Sequence, residues 1–226
     1  MQPEKLTDEE LVFVLGLTKG WADSLESDIN FSLKCKIAVM KFSEKRDNRI
    51  IMKSVQLQCI KSALLSDTIV CLPTGYGKSL VYQLLPFFYD EPSIIIVIAP
   101  LNAIINEQIE LLGSQAKKLD CDILKDKSFQ QGDYIYAIGH PEAALDKSIG
   151  RVLKSYGSRV KHVVVDEAHC VIQWGGEFRP QYQNLKSLRA LFPASKFLAL
   201  TATASEGERK EISRLLVLKV YTTLNI

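Results

Sequence analysis

At 226 residues, 47% apolar and 24% charged, the chain has the make-up of a globular protein with room for one sizeable domain and an appendage. A net charge of +2 excludes a global electrostatic pull on nucleic acid, so any such partner must be met by a local patch. Five scattered cysteines (35, 59, 71, 121 and 170), none in a C-x-x-C pair, argue for buried reduced thiols and against a disulfide frame or zinc site. The opening Met1-Gln2-Pro3-Glu4-Lys5 lacks the basic-then-apolar layout of a signal peptide. No apolar run approaches the roughly 20 residues of a membrane span. The expected location is intracellular: the nucleus, or the cytoplasm in a prokaryote.

Thr7, with Glu10 three residues on, forms a capping box ahead of Leu11-Val12-Phe13-Val14-Leu15 and predicts a short helix ending near Gly16. Residues 18–50 read as one or two further small helices, so residues 1–48 are expected to form a helical appendage. The stretch from Lys34 to Arg49 is rich in Lys and Arg, and reads either as a solvated face or as a contact to a phosphate backbone. From Ser54 the pattern sharpens. Cys59, Ile60, Ala63 and Leu64 fall at helical spacing within 54–65, after which strands and helices alternate. Strands are expected at 68–72, 93–99, 119–123, 133–138, 160–165, 196–200 and near 219–223. Helices are expected at 78–88, 102–117, 141–154, 181–191 and 205–216. Ile94-Ile95-Ile96-Val97-Ile98 and Val163-Val164-Val165 are continuous apolar runs, the mark of strands covered on both faces. The expected fold is therefore α/β, a mostly parallel doubly wound sheet within a domain over 49–226. Ligands are expected outside the C-terminal ends of its strands.

Leu72-Pro73-Thr74-Gly75-Tyr76-Gly77-Lys78-Ser79 stands between the first such strand and a helix start, the context of a phosphate-binding loop. Glycines let several N–H groups turn toward one point, and the helix N-terminus adds partial positive charge there. Lys78 would meet the outer phosphates and Ser79 a magnesium ion. The strict pattern has glycine at position 72, where this chain has Leu72, so the match is to a G-x-G-K-S core. Further on, Val163-Val164-Val165-Asp166-Glu167-Ala168-His169 sets two adjacent acids at the end of a buried strand. One carboxylate there can hold magnesium and its neighbour can orient or deprotonate an attacking water. The other reading is a solvated acid pair capping the next helix.

Asp166-Glu167-Ala168-His169 resembles the D-E-A-H box of superfamily-two helicases. The following Cys170-Val171-Ile172-Gln173-Trp174-Gly175-Gly176-Glu177-Phe178-Arg179-Pro180-Gln181-Tyr182 is similar to the aromatic-rich loop of RecQ helicases, and the phosphate loop has the RecQ form. Lys53-Ser54-Val55-Gln56 resembles the family's adenine-reading motif. Ala99-Pro100-Leu101 with Gln108 resembles its first strand-contacting motif, and Leu200-Thr201-Ala202-Thr203-Ala204 the motif coupling hydrolysis to movement. The likeness covers roughly residues 50–220, with the motifs in family order. It implies a DNA helicase that uses ATP and Mg2+, binds single-stranded or partly unwound DNA, and moves 3′ to 5′. In that reading Thr74, Gly75 and Gly77 cradle phosphate with Lys78 and Ser79, Ser79 and Asp166 hold the metal, and Glu167 acts on water. His169 links the hydrolysis site to the DNA-contacting surface.

The residues allow further readings. Gln56 carries amide groups suited to an adenine edge, and Lys53 an apolar stem to lie beside the base; Gln56 also reads as a surface helix residue. Trp174 and Phe178 offer faces for stacking bases, with Arg179 adding charge, or else they pack beneath a loop. Thr201 and Thr203 either relay between sites or cap the following helix. Where the RecQ loop usually has His-Asp this chain has Gly176-Glu177, and where a strand-end motif usually reads S-P-E it has His140-Pro141-Glu142. By resemblance the chain is a first motor lobe, and the arginine that stabilises charge on the transferred phosphate comes from a second lobe, in cis or in trans. Hydrolysis by the chain alone is expected to be slow. The alternative is a non-catalytic module that holds nucleotide or DNA.

Overall fold

A computed structural model describes residues 29–43, 50, 52–173 and 180–225 of the chain. The helix expected over 7–16 lies outside them. The described residues fall into two compact units, one from residues up to Lys61 together with Gly77–Asp90, the other from Ser62–Tyr76 with the chain beyond Glu91.

The first unit holds helix α1 (Ile29–Ser43), most of α2 (Ser54–Leu65), helix α3 (Lys78–Leu84) and a 3-10 turn, Leu85–Phe88. α1 buries Phe31, Cys35, Ala38, Val39 and Phe42, which recur at intervals of three and four and so share one face. Phe31 stacks on Phe88 at 5.8 Å between ring centres, and Phe42 meets Phe87 edge-on at 6.2 Å. The helix expected over 78–88 narrows to a 3-10 turn at Leu85, because Pro86 has no N–H to continue the ladder.

The second unit is built on a seven-stranded sheet in the order β3-β4-β2-β5-β6-β1-β7, every pairing parallel. Its strands are β1 (Asp67–Cys71), β2 (Ile94–Ile98), β3 (Ala116–Leu119), β4 (Tyr136–Gly139), β5 (Val160–Val165), β6 (Lys196–Thr201) and β7 (Tyr221–Asn225). β2 is buried at all five positions, as a strand covered on both faces must be. The chain steps one way across the sheet from β2 to β3 and the other way from β3 onward to β7. Right-handed crossovers then set α4 (Asn102–Leu112) on the opposite face from α7 (Lys147–Ser155, numbered after α5, Lys127–Gln131, and α6, Pro141–Ala144) and from α10 (Glu206–Leu215), which follows α8 (Cys170–Gln173) and α9 (Lys186–Leu191). The doubly wound α/β fold is thus observed, and all its described strands are parallel.

Several element ends shift for local reasons. α4 stops at Leu112 because Gly113 turns to φ 55°, so β3 begins at Ala116 rather than 119. The helix expected over 141–154 is two, because Asp146 accepts from the N–H of Ser148 (2.8 Å) and Ile149 (3.0 Å) and so opens a new helix. At the N-terminal edge of the sheet, buried Asp67 pairs with Arg189 at 2.5 Å and also accepts from the N–H of Phe197 (2.8 Å) and Lys219 (2.7 Å). The Arg189 guanidinium lies 3.8 Å from the centre of the Phe197 ring and donates to Ser195 O at 2.8 Å. That cluster anchors β1, α9, β6 and the approach to β7.

Candidate nucleotide and nucleic-acid site

The phosphate loop begins where β1 ends. Leu72 N–H donates to Thr201 O at 3.0 Å, so the loop leaves the sheet in register with the end of β6. Thr74 and Gly75 are exposed, with Gly75 at φ 81° and Tyr76 N–H donating to Pro73 O at 3.2 Å.

Within the first unit, Gly77 is the residue before α3 and takes φ 71°, a left-handed conformation that glycine adopts without penalty. Space demands glycine there as well, since a Cβ at position 77 would lie 2.5 Å from Gln56 Nε2. Gln56 is 3% exposed; its Oε1 accepts from Lys53 N–H at 2.7 Å and its Nε2 donates to Gly77 O at 3.1 Å. The surface reading of Gln56 is therefore corrected: burial and two backbone partners make it a brace for the loop. Lys53 is exposed, Lys78 is buried at the helix start and Ser79 is half-buried.

The remaining motifs gather along the C-terminal edge of the parallel sheet in the second unit. Asp166 follows β5, is 5% exposed, donates its N–H to Ile98 O at 2.8 Å and accepts from Glu167 N–H through Oδ1 at 2.9 Å. Glu167 sits at φ 47°, a left-handed value uncommon for a residue with a side chain, and such strain concentrates at working sites. His169 Nδ1 lies 3.2 Å from Thr201 Oγ1 and 3.4 Å from Glu167 Oε2. The Thr201 hydroxyl directs its one hydrogen to Thr203 O at 3.0 Å, so it accepts from His169, and the imidazole hydrogen is on Nδ1. The D-E-A-H turn and the Thr201–Thr203 strand end therefore form one bonded group. Pro100 is buried, Leu101 is half exposed and Gln108 is buried on α4. Trp174, Phe178 and Arg179 lie outside the described residues.

His140 escaped the sequence reading as a functional candidate. Its Nδ1 lies 3.1 Å from Ala99 O and its Nε2 3.0 Å from Asn102 Oδ1, which joins the end of β4 to the turn after β2. Its position one residue past a strand end was the available signal. Cys170, expected as a buried thiol, is 2% exposed, and its Sγ lies 3.6 Å from His169 Nε2.

Among the described residues no cluster of three or more His, Cys, Asp or Glu could cage a metal ion. Ser79, in the first unit, and Asp166, in the second, each present an oxygen donor of the hard kind that Mg2+ takes. No helix among the described residues is long and apolar enough to cross a membrane.

A parallel α/β domain with a glycine-punctuated loop after one strand and an acid pair after another is the class of a phosphate-loop motor domain. The chain matches the family model described as DEAD/DEAH box helicase over residues 53–212, and it belongs to that family. It is 36% identical over 186 residues to mouse ATP-dependent DNA helicase Q5, an alignment covering 75% of this chain and 18% of that protein. It is 34% identical over 200 residues to ATP-dependent DNA helicase RecQ of Haemophilus influenzae, covering 79% of this chain and 31% of the relative. The chain thus spans less than a third of either relative's length. Among solved structures, S. cerevisiae Dbp5 bound to RNA and ADP BeF3 superposes with a TM-score of 0.62 at 15% identity, over 84% of this chain and 49% of that one. That likeness is one of fold.

Proposed function

We propose that the chain is the first ATP-binding lobe of a RecQ-like, 3′-to-5′ DNA helicase that works on single-stranded or partly unwound DNA in the nucleus. Lys78 and the N–H groups around Gly75 and Gly77 bind the outer phosphates. Ser79 and Asp166 hold Mg2+, which when bound offsets charge on the phosphates. Glu167 orients the attacking water and takes its proton. Lys53 and the Gln56-braced loop lie along the adenine side. Pro100, Leu101, Trp174, Phe178 and Arg179 meet the nucleic acid, and His169, Thr201 and Thr203 carry the state of one site to the other. A second helicase lobe, in cis or in trans, supplies the arginine finger, worth on the order of 10³–10⁵ in rate.

The observation that supports this reading is the bonded group His169–Thr201–Thr203, with Glu167 Oε2 3.4 Å from the same His169 nitrogen, which ties the turn holding the acid pair to the end of β6, where the Thr201 carbonyl accepts from Leu72 at the start of the loop. Titration of a fluorescent ATP analogue with and without Mg2+ tests it. Lys78→Ala is expected to weaken binding about tenfold or more, the cost of one charge-assisted contact. Equal affinity in wild type and Lys78→Ala would overturn the nucleotide site.

A further inference from the structure

We propose that His140 is a positioning residue that holds the turn at residues 100–102 in one shape for nucleic acid, an inference that rests on the nucleic-acid reading of that turn. The strand ladder runs right up to the turn, with Ala99 N–H donating to Gly139 O at 3.0 Å. The His140 ring extends it by one step. A carbonyl oxygen only accepts, so Nδ1 carries the hydrogen that meets Ala99 O at 3.1 Å; Nε2 is then an acceptor 3.0 Å from the Asn102 side-chain amide, and is bonded by it with that amide turned to offer its NH2 in place of Oδ1. Ala99 and Asn102 flank Pro100 and Leu101, so a single rigid ring clamps both ends of the turn.

Both sides of the clamp are anchored. The His140 carbonyl accepts from Ala144 N–H at 3.1 Å and opens α6. Asn102 is the first residue of α4, and Leu101 before it is extended and offers no capping side chain. The start of α4 is therefore fixed from the side, through Asn102. Leu101 and Asn102 present their outer faces to solvent. The clamp reduces the ordering that the turn must undergo when it binds, which raises affinity without adding a contact to the ligand.

The test uses the full chain, a labelled oligothymidine, a fluorescent ATP analogue, and amide exchange across residues 101–106. His140→Ala and Asn102→Ala are each expected to raise the oligothymidine Kd about fivefold to tenfold, the range of one or two lost hydrogen bonds. The double variant is expected to be no weaker than the worse single, because both substitutions open the same clamp. Amides of 101–106 exchange faster in all three variants, while the analogue binds as in wild type. Additive losses in the double variant, or unchanged exchange across 101–106, overturn the proposal whatever the DNA result. A parallel loss of analogue binding also overturns it, since that marks general damage to the fold. If wild type fails to bind oligothymidine, the nucleic-acid reading of the turn falls and takes the proposed purpose of the clamp with it.

Discussion

His169 donates its Nδ1 hydrogen to the Thr201 hydroxyl across 3.2 Å, joining segments 32 residues apart in the chain. Thr201 is itself tied onward, by its hydroxyl to Thr203 O and by its carbonyl to Leu72 N–H at the root of the phosphate loop. Three strand ends, those of β1, β5 and β6, are thereby held by one small group of bonds. On the proposed relay reading, a change at one of them would reach the others through atoms in direct contact, a contiguous route that substitution at Thr201 tests.

Thr201→Val keeps the shape of the side chain and removes the hydroxyl. Nucleotide affinity is expected to stay within about twofold of wild type, because the substitution touches no proposed phosphate contact. The ratio of DNA affinities with and without an ATP analogue is expected to fall toward one, losing the about fivefold or greater coupling typical of linked sites. Anisotropy titrations in both nucleotide states measure this ratio. A variant that keeps the wild-type ratio would rule out the relay.

Gly77 and Gly75 separate backbone strain from crowding. Both sit at positive φ, so alanine at either costs about 1–2 kcal/mol of left-handed strain. Only at position 77 does the added Cβ meet an obstacle, Gln56 Nε2 at 2.5 Å, whereas position 75 has nothing within 4 Å. Gly77→Ala is therefore expected to lower the urea midpoint more than Gly75→Ala. Gln56→Ala in the Gly77→Ala background is expected to regain part of the difference by clearing the space. Equal midpoints for the two single variants would show that crowding against Gln56 contributes nothing.

These two cases mark how much the sequence alone revealed. The sheet was legible because Ile94-Ile95-Ile96-Val97-Ile98 and Val163-Val164-Val165 admit few structures other than strands buried on both faces. Asp166 was legible because it ends such a run. The boundary between α4 and β3 was not, since it depends on the backbone angle that Gly113 adopts, and glycine is tolerated in either role. The bracing of Gly77 by Gln56 joins residues 21 apart, and the Asp67–Arg189 pair joins residues 122 apart. Bonds of that reach are set by tertiary packing, and local periodicity carries no trace of them.

The Asp67–Arg189 pair should behave as a structural node independent of chemistry. Both side chains are nearly buried, and Asp67 also receives two backbone N–H groups. Arg189→Met leaves a carboxylate buried without its cation, for which the expected cost is about 3–5 kcal/mol. Adding Asp67→Asn removes the stranded charge but turns an NH2 toward one of the two backbone N–H groups, so only part of that loss is expected to be recovered. Chemical denaturation of the four proteins in the cycle decides the matter. If the two substitutions simply add, the pair does not act as a unit.

His162 supplies the stability prediction that depends on pH. It lies wholly buried on β5, between Ile95 of β2 and Lys196 of β6, and burial, helped by the Lys196 charge, pushes its pKa from 6.5 down to about 3. The folded chain therefore refuses a proton that the unfolded chain takes up near pH 6.5. With more protons bound in the unfolded state, stability falls as pH drops from about 6.5, by up to about 1.4 kcal/mol per pH unit, and levels off below about 3. Above about 6.5 the group has no effect, because it is neutral in both states. Asp126 and Asp146, whose carboxyls are held below their ordinary values by hydrogen bonds, act only at more acidic pH. The window between about pH 5 and 6.5 is thus where His162 should dominate. Urea midpoints measured across that window are expected to slope downward with acid in wild type, and to flatten in both His162→Leu and His162→Phe whatever their absolute stability. A slope that survives in both variants assigns the acid sensitivity to some other group.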